Sequence, residues 1–129
     1  MEPFYLEATK STFGLNFDPE QNLIEFKGNS YPTNAMEFFK EPVEWMRNFL
    51  SSKKTEALKV VFDVQYFNTS SSKYIFNMLE LFDEYYKAYG NIDIVWMFDE
   101  DDEDIFESWK SLILQLNVPY RTVEANEQN

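Results

Sequence analysis

A run of four hydroxyl residues, Thr69 to Ser72, stands between Asn68 and Lys73, where a strand pattern gives way to a helical one. Backbone N–H groups in the first turn of a helix lack acceptors, and the helix dipole makes that end positive. An Asn or a hydroxyl side chain at this position is typical of a helix N-cap. A phosphate on one of these hydroxyls would also gain from the free amides and the dipole. The spacing favours the cap and leaves a phosphorylation site open.

A second chemical feature, the acidic run, follows the next strand pattern and opens the last helix: Asp99, Glu100, Asp101, Asp102, Glu103 and Asp104. Acidic side chains in a first helical turn complement the dipole by roughly 0.3–1 kcal/mol each. Carboxylates also suit Mg²⁺ or Ca²⁺, but the run lacks the glycine and the spacing of an EF-hand loop. We therefore assign no metal site and expect a solvated acidic rim that can contact a protein partner.

The composition excludes several kinds of catalytic site. The 129 residues include no histidine and no cysteine, which rules out a Ser-His-Asp triad, a cysteine nucleophile, a thiolate or imidazole zinc site and a disulfide. The three glycines, Gly14, Gly28 and Gly90, form neither a G-x-G-x-x-G motif nor a P-loop. We therefore expect no catalytic residue, no cofactor and no enzyme activity.

The balance of acidic and basic residues limits the classes of partner that the chain can bind. Asp and Glu number 23 against 11 Lys and Arg, and the formal net charge is −12. Binding to nucleic acid or to anionic lipid needs a basic surface, so neither is expected. The first ten residues lack a signal-peptide pattern, and no apolar run approaches the roughly 20 residues of a membrane helix. We expect a cytoplasmic protein whose partners are proteins, with no membrane partner.

The elements that position these features begin with three predicted strands. The first runs from Phe4 to Ala8, the second from Gly14 to Phe17, and the third from Leu23 to Lys27, closed by Gly28 and Asn29. Turn residues separate the second strand from the third.

A helical pattern follows between Asn34 and Ser52. Pro42 lies inside it, lacks an N–H group and clashes with the carbonyl four residues earlier. We therefore expect a kink or break near Glu41.

Strands and helices then alternate. Strands are predicted from Ala57 to Phe67, from Ile92 to Phe98 and from Pro119 to Val123. A helix capped by Asn68 and Thr69 is predicted to run to about Tyr89 and to end at Gly90. The last helix carries an apolar stripe from Ile105 to Leu116.

The predicted order is βββαβαβαβ, an α/β fold of α+β-like character. One face of the fourth strand is expected to carry Leu58, Val60, Phe62, Val64 and Tyr66, opposite a more polar face. A strand buried on both faces would not alternate in this way, so the helices should cover mainly one face of a mixed sheet. Residues 1–123 are expected to form one domain, and residues 124–129 a disordered tail.

Several segments together resemble the SiaC family of small bacterial regulatory phosphoproteins, and the resemblance covers nearly the whole chain. They are Phe17-Asp18-Pro19-Glu20, Gly28-Asn29-Ser30-Tyr31-Pro32, Tyr66-Phe67-Asn68-Thr69-Ser70-Ser71, and Trp96-Met97-Phe98-Asp99 leading into the acidic run.

The resemblance implies a STAS-like fold, as in anti-sigma-factor antagonists, and a partner-switching function linked to cyclic-di-GMP and biofilm formation. A protein kinase of the anti-sigma-factor type would add a phosphate, a PP2C-type phosphatase would remove it, and the unmodified form would bind a target such as a diguanylate cyclase. The implied acceptor is Thr69, with Ser70, Ser71 and Ser72 as alternatives. Asn68 and Lys73 surround the phosphosite.

Two other functions stay open. A small hydrolase would use the carboxylates of the acidic run with Mg²⁺, and micromolar Mg²⁺ or Ca²⁺ would then stabilise it against heat. A scaffold protein would instead dimerise through exposed aromatic residues. Aromatic residues, exposed and buried together, make up 19% of the chain. The oligomeric state is open in every case.

Overall fold

The computed structural model describes residues 1–52 and 57–125. Within them, the predicted order of strands and helices is confirmed. The elements are β1 (Phe4–Leu6), β2 (Gly14–Asp18), β3 (Leu23–Ser30), α1 (Ala35–Ser52), β4 (Leu58–Phe67), α2 (Thr69–Tyr89), β5 (Ile92–Phe98), α3 (Glu103–Ile113) and β6 (Tyr120–Glu124), with a 3₁₀ turn at Glu100–Asp102.

The strands form one mixed sheet in the order β1-β2-β3-β4-β5-β6. β1, β2 and β3 pair antiparallel, whereas β3 to β6 pair parallel. A helix connects each parallel strand to the next. As a result, β3, β4 and β5 all end at the same edge of the sheet, and the starts of α2 and α3 lie at that edge.

The helices cover one face of the sheet, as the strand alternation predicted. Buried side chains from all three helices and from β2 to β5 form a single core cluster. Phe26 stacks on Phe62 with ring centroids 4.7 Å apart, and Trp109 of α3 stacks on Trp96 at the same distance. Lys27 and Lys59 are exposed on the opposite face. Within residues 1–52 and 57–125, no helix has the length and apolarity needed to cross a bilayer.

The predicted break at Pro42 is wrong, because α1 continues through it from Ala35 to Ser52. Pro42 is itself buried, and Phe39 and Met46 on either side of it are fully buried. A proline inside a helix costs about 3 kcal/mol. Packing of both halves of α1 on the same core offsets that cost, because tertiary contacts supply most of the stability of a helix in a protein.

The third strand also differs from its prediction, since β3 passes Gly28 and ends at Ser30. Gly28 has φ +95°, a conformation that favours glycine. The register pairs Gly28 with Val64 and Asn29 with Tyr66, so β4 carries one extra residue at this point. Such a bulge inverts the alternation of side chains. Tyr66 is therefore exposed and Phe67 buried, contrary to the predicted face of Tyr66.

The strand ends differ by small amounts. β1 ends at Leu6, two residues before the predicted end at Ala8. β6 includes Glu124, the first residue of the predicted tail. Residues 126–129 of that tail lie outside the described residues.

Candidate functional site

The start of α2 is built around Asn68, which is an N-cap as predicted, whereas Thr69, predicted to share the cap, is the first residue of the helix. Asn68 has extended backbone angles, φ −91° and ψ 176°, and its Oδ1 accepts a hydrogen bond from the Ser71 N–H at 2.9 Å. Its carbonyl accepts from the Ser72 N–H at 3.0 Å. α2 therefore begins at Thr69, and its end at Gly90, with φ +71°, is also as predicted.

Ser71 anchors this helix start to the end of β3. Its side chain is 0% exposed, and its Oγ donates to the Ser30 carbonyl at 3.1 Å. The two hydroxyl oxygens lie 2.7 Å apart. Because the Ser71 hydroxyl hydrogen is directed to the Ser30 carbonyl, the Ser30 hydroxyl is the donor between the two oxygens. The Ser30 carbonyl also accepts from the Asn68 N–H at 3.0 Å. Folding thus removes Ser71 from solvent and uses its hydroxyl as a structural bond.

Sequence reasoning missed Ser30 as a partner of the hydroxyl run. The two serines are 41 positions apart, and only the pairing of β3 with β4 brings them together. The available signal was a hydroxyl residue placed directly after Gly28-Asn29, next to the strand that leads into the hydroxyl run.

The remaining hydroxyls differ in accessibility. Ser72 Oγ donates to the Thr69 carbonyl at 2.6 Å. Thr69 and Ser70 are both exposed. Among the described residues, neither their hydroxyls nor their backbone N–H groups have a hydrogen-bond partner, as expected for amides in a first helical turn.

The structure brings Thr69 and the acidic run together. A groove of about 720 Å³ lies between the start of α2 and the start of α3. We call it the acidic groove: one wall is formed by residues 65–69, and the other by residues 100–105 and Ser108. Ser70 does not line it. Thr69 is therefore the exposed hydroxyl of the run that borders this groove.

The backbone at the start of the acidic run is fixed by the side chain of its first residue, Asp99. Asp99 Oδ1 accepts from the Asp101 N–H at 3.0 Å and caps the 3₁₀ turn. Asp102, the residue before α3, makes no side-chain cap. In the described part of the chain, no Lys or Arg forms an ion pair with the run, and no three acidic side chains converge to hold a metal ion. The carboxylates form an unneutralised wall.

Lys73, which with Asn68 was predicted to surround the phosphosite, lies outside the acidic groove, whereas two tyrosines border it. Lys73 is exposed, with its Nζ 5.7 Å from the ring centroid of Tyr74, and does not line the acidic groove. Tyr66 lines it and packs edge-on against Tyr31 with centroids 6.0 Å apart. Both tyrosines are exposed. An aromatic pair therefore borders the groove beside Thr69.

Comparison with known proteins places the chain in context. The profile described as "SiaC family regulatory phosphoprotein" matches residues 6–124. An uncharacterised protein of Pseudomonas aeruginosa strain UCBPP-PA14 is 24% identical over 128 residues, covering 99% of this chain and 100% of that relative.

Solved structures show the same fold. The structure of SiaC of Pseudomonas aeruginosa matches with a TM-score of 0.84 and 23% identity, covering 96% of this chain and 99% of that chain. A chain in the crystal structure of the diguanylate cyclase SiaD in complex with its activator SiaC, also from Pseudomonas aeruginosa, matches with a TM-score of 0.84 and 24% identity. There, 93% of this chain and 99% of the matched chain are covered.

Proposed function

The chain belongs to the SiaC family of regulatory phosphoproteins, and we propose that a phosphate on Thr69 controls its binding to a diguanylate cyclase. The unmodified chain binds and activates the cyclase in the cytoplasm and has no catalytic activity of its own. A kinase of the anti-sigma-factor type adds the phosphate, and a PP2C-type phosphatase removes it. The described complex of the structurally similar SiaC with the cyclase SiaD, which it activates, supports this target class.

The observation that carries the proposal is the unequal placement of the four hydroxyls. Ser71 is buried and bonded to Ser30, and Ser72 is bonded to the Thr69 carbonyl. Thr69 and Ser70 stay exposed, and of these two only Thr69 borders the acidic groove. Thr69 is therefore open to a kinase from the edge of the sheet, without unfolding of α2.

The modification is the transfer of the γ-phosphoryl group of ATP to the Thr69 hydroxyl. An Oγ1–P bond forms at Thr69 while the bond between the γ-phosphorus of ATP and its bridging oxygen breaks, which releases ADP. The Oγ1 proton passes to a base of the kinase. Hydrolysis by the phosphatase breaks the Oγ1–P bond, restores the hydroxyl and releases inorganic phosphate. The start of α2 supplies free amides that favour the phosphate.

The phosphate changes the charge of the surface more than its shape. It adds about −1.5 to −2 charges at neutral pH, beside a wall of carboxylates that form no ion pair with a Lys or Arg of the described residues. The bonds from Asn68 and Ser71 do not involve the Thr69 hydroxyl, so the helix start keeps its anchors. An acidic surface of the cyclase is therefore repelled, whereas a basic surface of the kinase or phosphatase is attracted to the acidic run, which we propose as a partner-binding rim.

The acceptor is tested with the kinase of the same organism, ATP and fragment mass spectrometry. We expect phosphate on Thr69 in the wild type and none in Thr69→Ala, whereas Ser70→Ala, its matched neighbour, is modified at the wild-type rate. Phosphate on Ser70 in place of Thr69 contradicts the assignment. Absence of phosphate from the whole hydroxyl run contradicts the switch.

The output is tested by cyclase activity and binding. Unmodified wild type and Thr69→Ala should both bind and activate the diguanylate cyclase of the same organism. Thr69→Asp should bind about tenfold or more weakly, although one carboxylate imitates a dianionic phosphate imperfectly. Equal activation by Thr69→Asp and the wild type would show that charge at this position does not control the target.

A further inference from the structure

The proposed acceptor Thr69 lies between two residues that bond to one atom, the carbonyl oxygen of Ser30 at the end of β3. Asn68, directly before Thr69, donates its N–H to this oxygen at 3.0 Å. Ser71, which follows Thr69 in the first turn of α2, donates its Oγ–H to the same oxygen at 3.1 Å. A carbonyl oxygen has two lone pairs, so both bonds can form at once. The segment that carries Thr69 is therefore held on both sides by a residue of another strand.

Two further contacts close this arrangement, which we call the β3–α2 junction: Ser30, Asn68 and Ser71. Asn68 Oδ1 accepts from the Ser71 N–H at 2.9 Å, and the hydroxyl oxygens of the two serines lie 2.7 Å apart. Both serines are 0% exposed, and hydrogen bonds away from water are stronger than exposed ones. Thr69 itself is exposed. The junction therefore fixes the backbone that carries an accessible hydroxyl.

Ser30 reaches this junction through the bulge between β3 and β4. The bulge lies directly after Gly28, and because of it Ser30 pairs with Phe67, the last residue of β4. Without the extra residue in β4, Ser30 would pair one position earlier and lie farther from Asn68. The bulge requires φ +95° at Gly28, and bulges that redirect side chains are frequent beside functional sites. The irregular pairing thus brings Ser30 to the start of α2.

We propose that the kinase modifies Thr69 in the folded chain, and that Ser30 and Ser71 are positioning residues for this transfer. The inference rests on the proposed function and adds how the substrate is recognised: as a folded junction of two distant segments, not as a linear sequence around a flexible hydroxyl. The Oγ1–P bond forms as the bond from the γ-phosphorus to the bridging oxygen of ATP breaks, and a base of the kinase takes the Oγ1 proton.

The junction matters for this step because in-line transfer needs the attacking oxygen in one place. Reacting atoms must approach to about 3–3.5 Å in an aligned geometry, and a displacement of about 1 Å can lower the rate by about 100-fold. Ser30 and Ser71 are fully buried, so neither can touch the kinase while the chain is folded. A changed rate in their variants therefore reports the placement of the Thr69 hydroxyl and not the loss of a kinase contact.

A kinase that needs an extended segment gives the opposite prediction. Such a kinase modifies Thr69 only after the first turn of α2 has opened, as local segments of a folded protein do transiently. Any change that loosens the junction then speeds the modification, whereas it slows the modification when the kinase reads the folded junction. The sign of the effect distinguishes the two mechanisms.

The first experiment measures the kinetics of phosphorylation of full-length variants by the kinase of the same organism with ATP. Ser71→Ala removes both hydroxyl bonds of the junction, and Ser30→Ala removes one. Ser70→Ala, which removes an exposed hydroxyl of the same run, is the surface control. We expect kcat to fall about fivefold or more for Ser71→Ala and less for Ser30→Ala, with KM within about twofold of the wild type. Ser70→Ala should keep both constants.

A core control separates placement from overall stability. Phe49 is 1% exposed and lies near the end of α1, which leads to the opposite edge of the sheet. Phe49→Leu should therefore destabilise the core without touching the junction, and kcat and KM should stay at the wild-type values. Circular dichroism at the assay temperature verifies that each variant is folded.

The second experiment needs no kinase. Hydrogen exchange at single amides of the ¹⁵N-labelled chain measures local opening. The N–H groups of Asn68 and Ser72, which donate to the carbonyls of Ser30 and Asn68, should exchange about fivefold or more faster in Ser71→Ala than in the wild type. In Phe49→Leu, exchange of these amides relative to amides in the centre of α2 should stay unchanged.

The outcomes separate positioning from the switch. Wild-type kcat in both junction variants overturns the positioning role and leaves the switch intact. Faster modification of Ser71→Ala shows that the kinase takes an opened segment, and an equal loss in Phe49→Leu assigns the effect to stability; both overturn the inference. Absence of phosphate from the wild type overturns the switch together with the inference. Unchanged exchange at Asn68 in Ser71→Ala overturns the inference whatever the kinase does.

Discussion

The starts of α2 and α3 occupy equivalent places and differ in almost every other respect. Each follows a parallel strand at the same edge of the sheet, and together they line the acidic groove. The start of α2 is uncharged, capped by Asn68 and bonded through Ser71 to the end of β3. The start of α3 carries the acidic run, passes through a 3₁₀ turn, and has no side-chain cap at Asp102.

The difference shows two ways of placing negative charge at a helix N-terminus. α3 holds permanent carboxylates that complement its dipole. α2 leaves the equivalent position to an exposed, uncharged hydroxyl, which would carry charge only through the phosphorylation that we propose. The bonds of Asn68 and Ser71 on the other side of this turn do not involve that hydroxyl, so the helix start would keep them after such a change. The two starts should therefore respond differently to mutation.

The largest expected effect concerns what holds α3 in place. Since its start is uncapped, its core face must fix it, and Trp109 is 0% exposed, stacked on Trp96 and edge-on to Tyr120. Trp109→Ala should lower the free energy of unfolding by roughly 3–5 kcal/mol, because it leaves a cavity. Leu114→Ala, at an exposed position after α3, is the control and should change it little. A loss below about 1 kcal/mol in urea unfolding would mean that α3 is held by other contacts.

The next effect concerns the anchor of α2. Ser71→Ala removes a buried hydroxyl and leaves that of Ser30 without its partner. The expected loss is about 1–3 kcal/mol, the cost of an unsatisfied buried polar group. Ser70→Ala, one residue earlier and exposed, should stay within about 0.5 kcal/mol. The double variant Ser30→Ala with Ser71→Ala should recover part of the loss, and a double-mutant cycle without coupling would contradict the anchor.

The helix α2 also shows which features sequence reasoning could predict and which it could not. The cap at Asn68 and the end of α2 at Gly90 are local features, so residue types within one turn predict them. The burial of Ser71 depends on Ser30, which only the β3–β4 pairing brings near. The sequence alone therefore left all four hydroxyls as candidate acceptors.

The wrong predictions have the same origin. Pro42 disfavours a helix locally, but the burial of α1 on both sides of it is a tertiary effect. Gly28 and Asn29 are typical strand-ending residues, yet pairing with β4 carries β3 to Ser30 and shifts the register there. The closeness of Thr69 and the acidic run depends less on individual contacts, because strands that run parallel end at one edge of the sheet.

A smaller effect compares the two helix caps directly. Asn68→Ala removes the acceptor of the Ser71 N–H at α2 and should cost about 1 kcal/mol, within the usual range of an N-cap. Asp102→Ala removes no cap bond at α3 and should cost clearly less. Thermal unfolding of the two variants at matched pH and salt measures the difference. Equal losses would mean that the two starts are stabilised in the same way, which would break the comparison.

The smallest effect contrasts a paired carboxylate with the unpaired acidic run. Asp93, on the strand that leads into the run, accepts two hydrogen bonds from Arg121, at 2.9 and 3.0 Å. The Arg121 hydrogen bond, assisted by the charges of Arg121 and Lys59, lowers the pKa of Asp93 below its ordinary value despite partial burial. A pKa lowered by folding gives stability that is present above the unfolded pKa and is lost as the pH falls through the folded one. Asp93→Asn should therefore destabilise the chain slightly at pH 7, less in high salt because the pair is half-exposed, and not at all once the carboxylate is protonated.

Asp101→Asn, the control, makes the same charge change in the acidic run, where no described cationic partner is lost. Relief of repulsion between the carboxylates should leave its stability at pH 7 equal to or higher than that of the wild type. Urea unfolding of both variants from neutral to acid pH tests the contrast, and a loss for Asp101→Asn as large as that for Asp93→Asn would show that the run is neutralised in the folded chain after all.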